Sequence, residues 1–297
     1  MSVLSSPQGS PERVWSLLAG LQALGGRAER SLIDGLVNPG YLVGDASVLV
    51  ETTLASNTHG AATSLGFLAL DGREAVVDAA FDAATADDFA DRVHDRLIAL
   101  EDASEDTPLL ETYAWLAVET DRRASVGWIF DVRREDLADQ ASAALGARGE
   151  DARTMNPTKW VAWRRWMAFL GLSVRQPFTN SQDLPDPTRR LLRELERETL
   201  APGARLAAHD FLQLVARRLP YLDRGRLFSK YATTLSHAQS NRRVSPLLSF
   251  ALGQLHAEGR ITLLVSGDSA NVVTLSGVEG MTPSAFDAVV VNVETAA

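Results

Sequence analysis

Residues 245–275 read SPLLSFALGQLHAEGRITLLVSGDSANVVTL, and this stretch decides the fold. Ser245 has the short polar side chain that caps a helix, and Pro246 suits the first helical position, where its missing N–H is no loss. Leu248, Ala251, Leu252 and Leu255 recur at helical spacing up to Gly259, a residue that tolerates the left-handed turn ending a helix. Two short apolar runs follow, 261–265 and 272–275, with the turn-rich SGDSAN between them. A helix and then a hairpin form the second half of a winged helix. Helices expected over 206–219 and 224–235 complete that module, which spans 203–278.

The N-terminal part repeats the pattern more weakly. A helix over 11–24 carries Val14, Trp15, Leu18 and Leu21 on one face and ends at Gly25-Gly26. A second, over 28–37, presents Leu32, Ile33 and Leu36 and stops at Asn38-Pro39-Gly40. Asp45 caps a third, which carries Val48, Leu49 and Leu54 as far as Asn57. In GFLALDGREAVV (66–77), Asp71-Gly72 sits between apolar runs, a strong short-range hairpin signal. These elements predict a first winged helix over 1–82.

Residues 83–202 read as a helical middle domain. Its helices are expected over 87–100, 109–119, 124–147, 157–172 and 188–200, with Trp115 and Trp128 as core anchors. The acidic EDASEDTP (101–108) is the linker candidate, and PFTNSQDLPDP (177–187) is an irregular connection. The tail, 279–297, contains VVVNV, a run suited to adding a strand at a sheet edge or pairing with another chain. The expected fold is mainly α: N- and C-terminal winged-helix domains flanking a helical middle domain.

At 297 residues, 45% hydrophobic and 23% charged, the composition is that of an ordinary soluble protein. No apolar run approaches the roughly 20 residues of a membrane span. The start, MSVLSSPQGSPER, lacks the basic and apolar regions of an export signal, so a cytoplasmic location is the default expectation. With no cysteine, disulfides, thiol nucleophiles and cysteine-ligated metal sites are excluded. The net charge of −9 is unevenly spread. Residues 1–150 carry 11 Lys/Arg against 25 Asp/Glu, 151–245 carry 17 against 8, and 246–297 carry 1 against 5. A polyanion is attracted to the middle stretch and repelled by the rest, unless the acidic and basic parts neutralise each other within the fold.

Two clusters qualify as nucleic-acid contacts. In NPTKWVAWRRWMAFLGL (156–172), Lys159, Arg164 and Arg165 interleave with Trp160, Trp163 and Trp166. Such aromatics can stack on unpaired bases while the cations meet phosphates. Their spacing equally makes one buried helix stripe, and that is the favoured reading of the rings. The second cluster holds Arg217, Arg218, Arg224, Arg226, Lys230, Arg242 and Arg243. Arg242 and Arg243 immediately precede the helix that would enter a DNA groove, where basic residues meet backbone phosphate; a merely solvated surface is the competing reading. The nucleic-acid-binding set is therefore Lys159, Arg164, Arg165, Arg217, Arg218, Lys230, Arg242 and Arg243. The groove-entering faces are poorer. Ser249, Gln254 and His256 are offered by one helix, and Glu51, Thr52, Ser56 and Asn57 by the other, with little of the Arg, Lys, Asn and Gln that read base edges.

Catalysis finds no support. His59, His94, His209, His237 and His256 are scattered, without HExxH or comparable metal spacing. Pro185-Asp186 followed by Glu194-Leu195-Glu196 resembles a nuclease core superficially, but the downstream lysine is missing and the region reads as helix. Ser236-His237 lacks a nucleophile elbow, and neither a phosphate-binding loop nor a dinucleotide fingerprint occurs. No catalytic residue, metal ligand or cofactor is expected.

The segments 156–172 and 245–275, with PERVWSLLAGLQALGG (11–26), resemble the DpdG-type accessory proteins over most of the chain. These belong to bacterial gene clusters that insert and police 7-deazaguanine derivatives in DNA, alongside helicases and nucleases. The likeness lies in hydrophobic patterns and carries no catalytic or ligand residues. It implies a role in modification-linked restriction or antiphage defence, with a helicase or nuclease as partner. The leading expectation is a non-enzymatic subunit that joins partner proteins to the DNA backbone, with self-association left open. The alternatives are a tandem winged-helix scaffold of a kleisin-type ATPase complex without DNA contact, and a transcriptional regulator.

Overall fold

The computed structural model describes residues 2–37, 53–79, 81–147, 153–177, 182–201, 203–266, 271–277, 280 and 282–293. It is mainly helical, with small sheets, and divides into two compact units. Residues 1–109 and 157–170 form the first; residues 110–156 and 171–297 form the second. The stretch 83–202 thus contributes to both.

In the first unit α1 (Pro11–Ala23) buries Val14, Leu17, Leu18 and Leu21, one stripe at helical spacing, and packs against α3 (Thr53–Ser64). Between them lie β1 (Arg27–Glu29) and α2 (Arg30–Val37). The expected helix start at 28 is therefore corrected, because residues 27–29 pair with a later strand. The expected helix stop at Asn38-Pro39-Gly40 and the positions Asp45, Val48, Leu49, Glu51 and Thr52 lie outside the described residues. Within them, α3 continues past Asn57 to Ser64. β2 (Leu68–Asp71) and β3 (Glu74–Val77) form the hairpin foreseen at Asp71-Gly72, with Gly72 at φ 61°, where a side chain would be strained. The sheet order is β1-β3-β2, all antiparallel.

α4 (Ala86–Ile98) starts with a capping box, Thr85 and Asp88 each accepting from the other's backbone N–H. Its Phe89 meets Phe67, Phe81 and Phe169 at 5.7–6.0 Å between ring centroids. α7 (Pro157–Phe169) buries Trp160, Trp163 and Trp166. The Trp163 indole N–H donates to the Leu109 carbonyl at 2.9 Å. Stacking on unpaired bases is thereby excluded for these rings. The acidic tract 101–108 is more than a linker: Asp106 is buried, accepts from Val3 N at 2.7 Å and from the Ser64 hydroxyl, and ties the N-terminus to α3.

In the second unit α5 (Pro108–Arg122) and α6 (Arg134–Leu145) precede α8 (Thr188–Arg197). Trp115 and Trp128 meet edge to face at 6.2 Å, and Trp128 Nε1 donates to Thr120 Oγ1, so both anchor the core as expected. β4 (Ser173–Val174) and β5 (Leu184–Pro185) make a short ladder. Then come β6 (Ala204–Ala207), α9 (Ala208–Arg218), α10 (Arg226–Thr234) and α11 (Pro246–Ala257). α11 follows its sequence reading closely: Ser245 Oγ accepts from Leu248 N at 3.3 Å, Pro246 opens the helix, and Gly259 has φ 71°. It packs on α8, which lies outside the 203–278 range expected for this module.

The hairpin expected across SGDSAN is corrected. β7 (Ile261–Leu264) does not pair with β8 (Val273–Thr274), which pairs instead with β9 (Ala285–Phe286). The partner of β7 is β10 (Ala288–Val291), and β10 also pairs with β6, giving the antiparallel order β6-β10-β7. Val289 stands opposite both Leu206 and Leu263. The valine-rich tail is thus a central strand rather than an added edge, because Ala288, Val289 and Val291 find burial there. Helix, strand, helix, helix, strand, strand is the order in the first unit. It recurs in the second as α8-β6-α9-α11-β7-β10, with α10 and the β8–β9 ladder inserted. No helix among the described residues is long and apolar enough to cross a membrane.

Candidate nucleic-acid interface

α9 buries Phe211, Leu212, Leu214 and Val215 and turns His209, Gln213 and Arg217 the other way, at a spacing of four that stacks them on one stripe. Facing this stripe are Arg224 from the α9–α10 turn, Ser229 of α10, and Gln239 and Asn241 from the irregular segment before α11. Together with Ala216 they line an open groove of about 800 Å³. Among the described residues no lining side chain is acidic. His209 Nε2 and Gln213 Nε2 stand 2.8 Å apart, Gln239 Nε2 donates to Ser229 Oγ at 3.1 Å, and Arg224 Nη2 donates to the Asn241 carbonyl at 2.7 Å. Burial pulls the Arg224 guanidinium below its ordinary value, while neighbouring Asp223 acts in the opposite direction. Arg217 is exposed and has no hydrogen bond or ion pair among the described residues.

The sequence-derived cations do not all come together. Lys159, Arg164 and Arg165 belong to the first unit, where they are half-buried; Arg165 Nη1 donates to the Pro7 carbonyl at 3.3 Å, and the other two have partners as well. In the second unit, three of the five are held by carboxylates. Lys230 Nζ lies 2.6 Å from buried Glu111, Arg218 pairs with Glu198, and Arg243 Nη2 lies 2.9 Å from buried Asp121. Arg217 and exposed Arg242 keep side chains without a partner among the described residues.

α11 offers less than the sequence suggested. Ser249 is fully buried, accepting from Ser276 N at 2.8 Å, and the exposed side chain beside it is Phe250. Gln254 is engaged by Thr188 and Glu258, and His256 Nδ1 accepts from Leu263 N at 3.4 Å. Of the other helix, Ser56 is exposed and Asn57 accepts from Gln8 N. Sequence reading missed the polar groove residues His209, Gln213, Gln239 and Asn241. The four-residue spacing of the first two on α9 was the available signal. The other two sit in a segment whose position depends on distant partners.

The DpdG-like family model matches residues 1–269. The chain belongs to the DpdG-like family. Membership links it to the Dpd modification system. The match includes all of α1–α11 and β7 and stops short of the strand that completes the second unit's sheet. No curated protein and no solved structure matches the chain.

Proposed function

We propose that this DpdG-like chain is a non-enzymatic accessory subunit that holds the DNA backbone for a Dpd-linked restriction or defence machine. In this reading each unit carries a winged-helix module, supported by the shared order of elements and by the third strand entering between the first two. The observation that carries the reading is the groove of the second unit. It gathers two guanidiniums, three amides, a hydroxyl and an imidazole, with no carboxylate among its described lining side chains. Phosphodiester oxygens accept from all of these groups. Arg242 extends the same chemistry beyond Asn241. The helicase or nuclease of the same system is the partner class that family membership suggests.

Binding of the full chain to a labelled mixed-sequence duplex, measured across a salt series, tests this. Each phosphate contact contributes a slope of about −0.9 in log K against log salt. Arg217→Glu with Arg242→Glu is expected to weaken binding and to flatten the slope by about 1.8. Unchanged affinity and slope refute the groove as the contact.

A second reading, a scaffold without nucleic-acid contact, draws on the charge of the first unit, which carries 9 Lys/Arg against 17 Asp/Glu. That balance repels DNA and suits a basic protein surface. Wild-type chain that binds no duplex at low salt, yet co-purifies with a partner subunit, favours the scaffold.

A further inference from the structure

The segment between α10 and α11 forms one wall of the groove, and among the described residues its only regular pairing is an isolated bridge at its end, where Thr274 N donates to the Arg242 carbonyl and Val244 N to the Thr274 carbonyl. Two buried carboxylates add side-chain tethers to that bridge. Asp121, at the end of α5, accepts from His237 Nε2 at 2.7 Å through one oxygen, and its other oxygen lies 2.9 Å from Arg243 Nη2. Arg243 Nη1 also donates to Ser276 Oγ at 3.0 Å. Asp223 takes both the N–H and the hydroxyl of Ser245 at 2.6 Å. Gln239, Asn241 and Arg242 lie between these tethers. All three non-glycine residues with positive φ among the described residues flank the arrangement: Ala124 at 52°, Arg224 at 64° and Ser236 at 52°. Backbone held in that region needs surroundings that over-determine it.

We infer that Asp121 is a positioning residue for the proposed nucleic-acid groove, clamping His237 and Arg243 so that Gln239, Asn241 and Arg242 are presented in one fixed arrangement. The inference rests on the reading of the groove given above. It reverses the sequence-based role of Arg243, whose guanidinium serves the wall rather than a phosphate. It also runs against simple electrostatics. Removing the Asp121 charge makes the chain less negative, which by itself strengthens attraction for a polyanion. Loss of the clamp makes binding pay the ordering cost of the wall, which weakens affinity.

The experiment compares duplex binding by wild type, Asp121→Asn and Glu198→Gln at one salt concentration. Both variants change net charge equally, but Glu198 pairs with Arg218 and tethers no part of the wall. Asp121→Asn is expected to weaken binding about fivefold or more, whereas Glu198→Gln binds as well as wild type or better. Equal or tighter binding by Asp121→Asn overturns the inference. Amide hydrogen exchange without DNA supplies the second readout: Asp121→Asn speeds exchange over 237–243 and leaves α9 and α11 protected. Unchanged exchange over 237–243 also overturns the clamp. If Asp121→Asn loosens the whole unit, His237→Gln, which removes one of the two contacts, is read in the same two assays against the same outcomes. Failure of wild type to bind duplex strikes the proposed function, while the exchange result still decides the clamp.

Discussion

Replacing Ser245 by alanine removes two interactions from one buried point. Ser245 is 1% exposed, its Oγ caps α11 by accepting from Leu248 N, and its hydroxyl proton goes to Asp223 Oδ2. Loss of a serine N-cap costs about 1 kcal/mol. Loss of a donor to a buried carboxylate costs about 1.5–3 kcal/mol. The two overlap, so the expected total is about 3 kcal/mol, or roughly 6–12 °C in the melting temperature of a unit this size. The cost depends on pH. Burial, reinforced by the charge of Asp121, raises the Asp223 carboxyl above its ordinary value, although the Ser245 bonds pull it down. A group raised in the folded state stabilises it below the unfolded value, and that contribution is lost as pH rises through the folded value. Removing a hydroxyl that favours the charged form raises Asp223 further, so Ser245→Ala is expected to cost more at pH 7.5 than at pH 3.8, the ordinary value of the carboxyl. Urea unfolding of Ser245→Ala, Asp223→Asn and the double variant at both pH values gives the interaction energy directly. Additivity within about 0.5 kcal/mol, or a loss that does not change with pH, refutes the coupling.

Two further outcomes probe other parts of the fold. His59 is 3% exposed, with Nε2 at 2.8 Å from Asp34 Oδ1, and burial outweighs that carboxylate to hold the imidazole below its ordinary value of 6.5. Its contribution to stability is therefore present above pH 6.5 and lost as pH falls through the lower folded value, with a slope of at most about 1.4 kcal/mol per pH unit. His59→Gln is expected to flatten that part of the stability profile, measured by thermal melting; an unchanged profile rejects the assignment. Val289 is fully buried in β10, and Val289→Asp buries a charge in the middle strand. The expected result is loss of about 3–5 kcal/mol, seen as collapse of the second unit's cooperative melting; melting like wild type's would remove β10 from the sheet.

Local signals in the chain proved the most legible. Ser245, Pro246 and Gly259 bound α11, and Asp71-Gly72 marks a hairpin, because each depends on neighbours within a few residues. The spacing of the three tryptophans of α7, together with the tendency of large aromatic rings to be buried, predicts a core stripe, and all three are buried. What escaped was long-range. Nothing in ITLL specifies that its partner is AVVV near residue 290 rather than the nearer VT, since both runs satisfy the alternation of a strand. β1, with three residues and two charges, has no strand signature and exists through pairing with β3. At the candidate site, Arg217 and Arg242 were legible as cations. The pairing of Lys230, Arg218 and Arg243 with carboxylates was not, because Glu111, Glu198 and Asp121 lie 20 to 122 residues away in sequence.

The chain leaves the first unit after Leu109 and gives α7 back to it only from Pro157 onward, with α5 and α6 made in between. A fragment ending near residue 109 therefore lacks Trp160, Trp163 and Trp166, whose rings help fill the core it would have to keep dry. Dissection by simple truncation will report misfolding before it reports function. A splice joining Leu109 directly to Pro157 is the sounder route to a stand-alone half, since the Leu109 carbonyl already accepts the Trp163 indole proton.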